Sequence, residues 1–261
     1  MEKTPPRLTD MPRLGGAYVV TLPLHVSDAT YSELESSLSA EERSRASCFL
    51  SDEVRRRFVV CRGRLRQTLG TLLGIAPHAV QFHYEQWGKP KLAGVQAAKS
   101  GEPLHFNVTH SGDWAAIAIA ATPIGVDLEM LKPSFRHRSV AGQVLCKQEL
   151  AAWEAVAARE RDHEMLRLWV CKEALLKALG LGIAEGLQQI EFPLPIPTAA
   201  SFHPQNIDSA LQLHLDDDGT CRMTAWTDRA SWRLQLLDLI PGGVAAIATW
   251  RSVTQFSCHS Y

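Results

Sequence analysis

The sequence of 261 residues has no cysteine pair in CxxC spacing, no marked excess of charge and no long apolar run. Its six scattered cysteines argue against a zinc site or a disulfide scaffold, and they fit reduced thiols in a cytoplasm. No segment reaches the ~18 apolar residues that a membrane helix needs. Residues 1–16 contain three prolines and no apolar core, so we expect a flexible leader and not a secretory signal. The hydrophobic content of 46% and the formal charge of −1 are typical of an ordinary globular protein.

Acidic residues are also missing between Glu53 and Glu85, an interval that holds six arginines. Apolar residues at helical spacing from Phe58 to Leu72 predict an amphipathic helix that ends near Gly74. Most of its arginines are expected on a solvated face. The functional alternative is an anion site, because arginine offers a planar fork that matches phosphate oxygens. A small phosphorylated ligand is favoured over a nucleic acid, since the overall charge is not basic.

A second helix is predicted between Asp162, its expected N-cap, and Gly180, which lies just beyond its end. Glu173 and Lys177 lie one turn apart and extend its apolar face. Taken alone, they favour an ion pair on a solvated edge, worth about 0.3 kcal/mol.

Residues 124–130 are predicted to form a strand in which Asp127 and Glu129 point to the same face. Two neighbouring carboxylates repel each other, so they are expected at a solvated surface or on a cation. Mg²⁺ is the cation that takes one or two carboxylates together with substrate phosphates. On this pair alone, a surface strand and a metal site are about equally favoured.

Polar residues also cluster before the buried strand that is predicted from Trp114 to Ala121. Thr109 and His110 belong to this cluster, which indicates a polar site at the edge of a sheet. Lys89 lies in a predicted turn, residues 87–91, and is expected to be simply exposed, with phosphate contact as the lesser alternative. Further strands are predicted over residues 80–84 and at several places between Ile190 and Trp250, residues 223–226 among them, and the last ten residues are expected to be frayed.

In combination, these blocks resemble the surfactin-type 4′-phosphopantetheinyl transferases of bacteria. The resemblance is carried by Gly-Val-Asp-Leu-Glu (125–129), by Trp-Val-Cys-Lys-Glu-Ala-Leu-Leu-Lys (169–177) and by Phe-Asn-Val-Thr-His-Ser (106–111). The Trp-Gly-Lys-Pro turn (87–90) and the arginine helix match in order and spacing. Any one block alone would be weak evidence, whereas the acidic pair followed by the Trp-x-x-Lys-Glu-x-x-x-Lys segment is specific.

The resemblance implies an α+β fold of two similar α/β halves related by a pseudo-twofold axis, with coenzyme A in the cleft between them. The halves would span residues 17–123 and 124–251, between the leader 1–16 and a frayed tail 252–261. A monomer is the expected state.

It also implies a reaction in which the phosphopantetheine arm of coenzyme A moves to a serine hydroxyl of an apo acyl or peptidyl carrier protein. Adenosine 3′,5′-bisphosphate would be released. Asp127, Glu129 and Glu173 would bind Mg²⁺, and Glu173 is the expected base for the serine proton. Lys177 would hold a phosphate. The grip on coenzyme A would come from this set: Arg45, Arg57, Lys89, Thr109, His110, Asp127, Glu173 and Lys177.

Two alternatives remain open at this point. A metal-dependent nuclease or phosphohydrolase would also group carboxylates with a lysine, and would need no coenzyme A. The second alternative is a non-catalytic protein that binds coenzyme A or a carrier. The presence of all three acidic residues, Asp127, Glu129 and Glu173, argues against it. A nucleic-acid or membrane partner is not expected.

Overall fold

In the computed structural model the strands form two main sheets, and the chain leaves one for the other between Ala120 and Ile124. The α+β fold class is confirmed. The twofold relation between the halves stays a prediction. The structure describes residues 16–84, 88–94, 103–131, 137–181, 187–192, 194, 211–215, 221–222, 232–250, 253 and 255–260.

The helices of this described part are Asp28–Ser36 (α1), Ala40–Ser47 (α2), Asp52–Leu73 (α3), His137–Val144 (α4), Lys147–Ala155 (α5) and Arg161–Leu179 (α6). Its strands are Gly16–Pro23 (β1), Phe82–Tyr84 (β2), Pro90–Leu92 (β3), His105–Ser111 (β4), Trp114–Ala120 (β5), Ile124–Met130 (β6), Ile190–Glu191 (β7), Leu211–Leu215 (β8), Cys221–Arg222 (β9), Trp232–Leu237 (β10), Gly243–Trp250 (β11) and Gln255–Ser260 (β12). None of these helices is long and apolar enough to cross a membrane.

The first sheet has the order β12-β1-β5-β4 and includes the C-terminal segment. The prediction of a frayed tail over 252–261 is wrong for Gln255–Ser260, which pair in parallel with β1. The ring of His259 stacks on Tyr18 with 4.5 Å between centroids. Such a polar edge strand is hard to recognise in a sequence, because its pairing depends on β1 and its last three residues are exposed.

The second sheet has the order β6-β11-β10-β8-β9-β7. Its β6 and β11 pack apolar side chains against the smaller apolar residues of β1 and β5 in the first sheet, so the two sheets share a core. Helices α1 and α3 cover the outer face of the first sheet, and α6 covers the outer face of the second. The main layers are therefore helices, sheet, sheet and helix. Strand β5 is buried on both faces, as predicted.

Helix α6 differs in part from its prediction. It ends at Gly180, which adopts the left-handed conformation with φ 74° as expected. Asp162 is not the N-cap, because the helix begins at Arg161 and follows Glu160. Glu173 is 6% exposed, so the expected solvated edge is also wrong. The second sheet lies on one side of α6, and α4 and α5 lie against it elsewhere.

The arginine helix α3 ends at Gly74, as predicted, in the left-handed conformation with φ 63°. Its polar side is less solvated than expected. Arg66 is 2% exposed, and its Nε donates to Glu42 Oε2 at 2.6 Å. Its Nη1 donates to the carbonyls of Pro77 and Val80 at 3.1 and 2.8 Å. This arginine therefore ties α2 and the chain after α3 together.

Two short predictions for the chain after α3 need correction. The strand expected over 80–84 is confirmed only for Phe82–Tyr84. The turn expected over 87–91 is shorter than predicted, because Pro90 and Lys91 belong to β3. Trp87 lies outside the described residues. In the C-terminal half, the strand predicted over 223–226 also lies outside them, next to the observed Cys221–Arg222.

Candidate active site

Strands β4 and β6 lie side by side at the edges of different sheets, and polar side chains of β4 join them. Asn107 Oδ1 accepts from the Val126 amide at 2.8 Å. Two residues further on, Thr109 Oγ1 donates to Asp127 Oδ1 at 2.8 Å. Because alternate residues of a strand share a face, this regular spacing lets β4 hold the acidic stretch of β6 along its length.

Helix α6 brings Glu173 and Lys177 to the same place. Lys177 Nζ lies 2.5 Å from Asp127 Oδ1 and 3.3 Å from Glu173 Oε2. It also lies 3.4 Å from Thr109 Oγ1. The predicted meeting of these four residues is thus observed, although the resemblance and not the helix pattern alone suggested it.

The packing of α6 on β6 depends on Gly125. A Cβ at this position would lie 2.0 Å from the Ala174 carbonyl oxygen and 2.5 Å from the Ala178 amide nitrogen. Only a residue without a side chain permits this approach. The close approach places Glu173 and Lys177 within reach of Asp127.

The site has more carboxylates than cations to balance them. Burial is the main cause that raises the pKa of Glu173 to about 7, and the charge of Asp127 raises it further while Lys177 opposes the shift. Desolvation also acts against charge on Lys177, but the carboxylates of Asp127 and Glu173 outweigh it and raise its pKa. Near neutral pH, Glu173 can therefore both accept and release a proton, and Lys177 stays charged.

The predicted metal ligands Asp127, Glu129 and Glu173 do not form a ready-made cage. Among the described residues, no group of three or more His, Cys, Asp or Glu is arranged to hold a metal ion. Asp127 Oδ2, however, is buried and has no hydrogen-bond partner. A buried charged oxygen without a partner is costly, and it is the kind of atom that a cation would satisfy. These donors therefore fit Mg²⁺ held with the help of substrate phosphates.

His110 and Arg57 lie at the rim of this site. Partial desolvation lowers the pKa of His110, and the charges of Lys177 and Arg57 lower it further. Arg57 Nη2 contacts Asp113 Oδ1 at 2.5 Å and Glu53 Oε1 at 2.6 Å. Lys177 and Arg57 are thus close enough to His110 to disfavour a further positive charge on its imidazole.

Lys89 and Arg45, two further predicted ligands, have structural contacts. Lys89 Nζ donates to the carbonyls of Lys177 and Ile124, the latter at 3.4 Å. It therefore joins the N-terminal half to the end of α6. Arg45 is exposed on α2, and its guanidinium lies 5.5 Å from the centroid of the Phe58 ring. The proposed contacts of both residues with coenzyme A stay predictions.

Sequence reasoning missed the roles of two residues inside the matching blocks. Ser111 donates to Glu129 Oε2 at 2.6 Å. Lys172, next to Glu173, points away from the site and is fully buried, with its Nζ 2.5 Å from Glu149 Oε2. The alternation of polar residues in β4 could have indicated Ser111. A buried lysine has no comparable signal in the sequence.

Carboxylates that can hold Mg²⁺ and a lysine that stays charged are the side chains that enzymes of phosphoryl transfer use. A sequence profile described as "4′-phosphopantetheinyl transferase superfamily" matches residues 123–236, and one described as "4′-phosphopantetheinyl transferase, N-terminal" matches residues 25–122. The 4′-phosphopantetheinyl transferase HetI of Nostoc sp. is 38% identical over 198 residues, which cover 76% of this chain and 82% of the relative. The 4′-phosphopantetheinyl transferase Sfp of Bacillus subtilis is 29% identical over 163 residues, which cover 58% and 69%. The chain belongs to the 4′-phosphopantetheinyl transferase family.

Proposed function

We propose that this protein transfers the 4′-phosphopantetheine group of coenzyme A to a serine hydroxyl of an apo acyl or peptidyl carrier protein. The observation that carries the proposal is the meeting of Glu173, Lys177 and Asp127 where α6 packs on β6. The similarity to named phosphopantetheinyl transferases over both halves of the chain supports the same reaction.

In this reaction the carrier serine oxygen bonds to the β-phosphorus of coenzyme A. The bond from that phosphorus to the bridging oxygen breaks, and adenosine 3′,5′-bisphosphate leaves. Glu173 is the group that we expect to accept the serine proton, directly or through water, because burial raises its pKa to about 7 in the metal-free site, close to neutral pH. Lys177 stabilises the charge that develops on the phosphate oxygens.

Asp127, Glu129 and Glu173 are the residues that would hold Mg²⁺. When bound, the ion supplies charge neutralisation for the pyrophosphate oxygens. The unpartnered Asp127 Oδ2 supports this assignment. Lys177 contacts Asp127 Oδ1, which leaves the unpartnered Oδ2 available to the ion.

Arg57 and His110 are proposed to contact the phosphates of coenzyme A from the rim, and Thr109 to keep Asp127 in place. Lys89 and Arg45 are proposed to contact the nucleotide of coenzyme A as well. A cytoplasmic, monomeric protein without a nucleic-acid or membrane partner remains the expectation that accompanies this function.

The test is mass spectrometry of several unrelated apo carrier proteins after incubation with this protein, coenzyme A and Mg²⁺. The expected product is a carrier that has gained one phosphopantetheine group, together with adenosine 3′,5′-bisphosphate. Cleavage of coenzyme A or of other phosphoesters without a carrier adduct would favour the phosphohydrolase alternative. Tight binding of coenzyme A without any product would favour a non-catalytic binding protein.

A further inference from the structure

Ser111 is the last residue of β4, and its hydroxyl connects the backbone of β6 with an acidic side chain. Its Oγ accepts from the Met130 amide at 3.1 Å. The same oxygen lies 2.6 Å from Glu129 Oε2. Since a serine hydroxyl has one proton and the amide already donates to it, that proton must point to the carboxylate.

The hydrogen bond from Ser111 to Glu129 is of the strong kind. A hydroxyl that donates to a carboxylate is charge-assisted, and the distance of 2.6 Å is typical of such a bond. Ser111 is 6% exposed, so water does not compete freely for its hydroxyl. The Met130 amide is fixed in the backbone of β6. Its hydrogen bond to the Ser111 oxygen therefore keeps the hydroxyl proton directed at Glu129.

Ser111 contacts a carboxylate side chain that is less enclosed than that of Asp127. Asp127 is buried and held by Thr109 and Lys177. Glu129 is only half-buried and has a longer side chain, so it has more rotamers to choose from. A ligand that must be ordered when the metal binds weakens binding by the cost of that ordering.

We propose that Ser111 is a positioning residue that fixes the Glu129 carboxylate for the divalent cation of the transfer reaction. The inference rests on the proposed function, because it assumes that Glu129 binds that cation. Ser111 itself contacts neither the metal nor the substrate in this account. Groups of this kind that orient a ligand typically change metal affinity by about 10- to 100-fold.

The experiment titrates Mg²⁺ into the protein saturated with coenzyme A, by calorimetry and without a carrier, so that no turnover occurs. Ser111→Ala should weaken Mg²⁺ binding by about 10- to 100-fold. Ser111→Thr keeps the hydroxyl and should restore most of the affinity. Ser111→Cys is nearly the same size but a weak donor, so it should resemble the alanine variant and serves as the test if Ser111→Ala fails to fold.

Ser37→Ala is the matched control. Ser37 is 8% exposed, and its hydroxyl donates to the Leu34 carbonyl at 2.6 Å, at the end of α1. The variant loses the same atom at similar burial, but at the end of a helix that carries none of the proposed metal ligands. Its melting temperature should fall by an amount comparable to that of Ser111→Ala, while its Mg²⁺ affinity should equal that of the wild type.

Equal Mg²⁺ affinity in the wild type, Ser111→Ala and Ser111→Cys would overturn the inference, and so would a wild type that binds no Mg²⁺ in the presence of coenzyme A. Failure of the proposed function looks different. In that case the wild type forms no carrier adduct in the mass spectrometry test, whatever the Mg²⁺ titration shows. A Ser111-dependent Mg²⁺ affinity without transfer would support the positioning role and reject the transferase reaction.

Discussion

The ammonium group of Lys177 lies 2.5 Å from Asp127 Oδ1 and joins the last turn of α6 to the middle of β6. The contact crosses from the helix to the sheet that it covers, and Asp127 is 2% exposed. In this state Lys177 is the main positive charge that balances the acidic site. The same residue is therefore important both for the fold of the protein and for its proposed chemistry.

Lys177→Ala should lower both the rate of transfer and the stability. The rate of the chemical step should fall by about 10²–10³-fold, on the scale of single groups that stabilise charge. The melting temperature should also fall, because Asp127 would stay buried without its cation, at a cost of roughly 1–3 kcal/mol. Single-turnover transfer at saturating coenzyme A and a melting curve in metal-free buffer measure the two effects.

Lys147→Ala is the control for this variant, since Lys147 is exposed on α5. It should change neither quantity. A Lys177→Ala protein with normal rates would reject the proposed role of Lys177, and an unchanged melting temperature would show that water replaces its contact with Asp127.

Glu173→Gln should stabilise the metal-free protein above neutral pH while it abolishes transfer. The folded pKa of Glu173 is about 7 and the ordinary value is 4.5. The folded state therefore binds more protons than the unfolded state between these values, so the free energy of unfolding falls as pH rises through this window. The glutamine variant avoids this loss, which amounts to at most about 3 kcal/mol.

The measurement is a set of melting curves between pH 5 and pH 8.5 in a chelating buffer. The difference in melting temperature between Glu173→Gln and the wild type should grow as pH rises and should level off above pH 7. A constant difference at all pH values would contradict the raised pKa of Glu173. The effect arises because the proposed reaction needs a proton-accepting carboxylate in a buried position, where its charge lowers the stability of the protein.

The sequence contained enough to predict where the central elements lie, but not how they meet. Strands β5 and β6 and the end of α6 follow from local periodicity and from Gly180, so their bounds were close to those observed. The burial of Glu173 depends on helix and sheet contacts between distant segments, which a helical pattern does not contain. For that reason the helix alone suggested a solvated ion pair.

The same limit applies to Lys172 and Ser111. Lys172 follows the pattern of an exposed lysine, and only the tertiary fold shows that it is enclosed by three oxygen atoms. Ser111 alternates with Thr109 and Asn107, but the partner strand that makes this spacing meaningful belongs to another sheet. The resemblance to a family indicated the acidic metal ligands, but it did not indicate the residues that hold these side chains in place.

Arg57→Ala should weaken binding of coenzyme A more than binding of dephospho-coenzyme A. The hypothesis is that Arg57 contacts the 3′-phosphate, and loss of a charged hydrogen bond of this type corresponds to about 10- to 100-fold in affinity. Glu53 and Asp113 hold the guanidinium in place before the ligand arrives. Calorimetric titration with both ligands gives the comparison.

Arg56→Ala is the control, because Arg56 pairs with Asp28 at 2.9 Å and lies over the ring of Tyr31. It should leave both affinities near those of the wild type. If Arg57→Ala weakened the two ligands equally, its assignment to the 3′-phosphate would be wrong.

Lys172→Met should destabilise the protein strongly, by about 3–5 kcal/mol, because it leaves Glu149 as an unpaired buried charge. Lys172 Nζ also donates to the carbonyls of Val144 and Leu187 at 2.8 and 2.7 Å. It thereby ties α6 to α4 and to the chain before β7. Chemical denaturation gives the free energy of unfolding.

Adding Glu149→Gln to Lys172→Met should recover part of the lost stability. The glutamine removes the charge but keeps an oxygen for the Phe192 amide, which donates to Glu149 Oε1 at 2.8 Å. A double variant less stable than Lys172→Met would indicate that another group balances the charge of Glu149. The stability of the protein would then not depend on the ion pair between Lys172 and Glu149.

Gly125→Ala should remove activity and stability together, because β6 and α6 cannot keep their spacing. The new Cβ would lie 2.0 Å from the Ala174 carbonyl oxygen, a distance that real structures do not permit. Helix α6 must then move away from β6, and it carries Glu173 and Lys177 with it. Displacement of reacting groups by about 1 Å can cost roughly 10²-fold in rate.

The comparison variant is Gly142→Ala, on the exposed face of α4, where an added Cβ meets no atom within 4 Å. Alanine is the better helix former, so this variant should be as stable as the wild type or more stable by up to about 1 kcal/mol. Melting curves and single-turnover transfer should therefore separate the two substitutions clearly. A Gly125→Ala protein that melts and reacts like the wild type would mean that α6 does not need to approach β6 this closely, and the proposed site would lose its main geometric support.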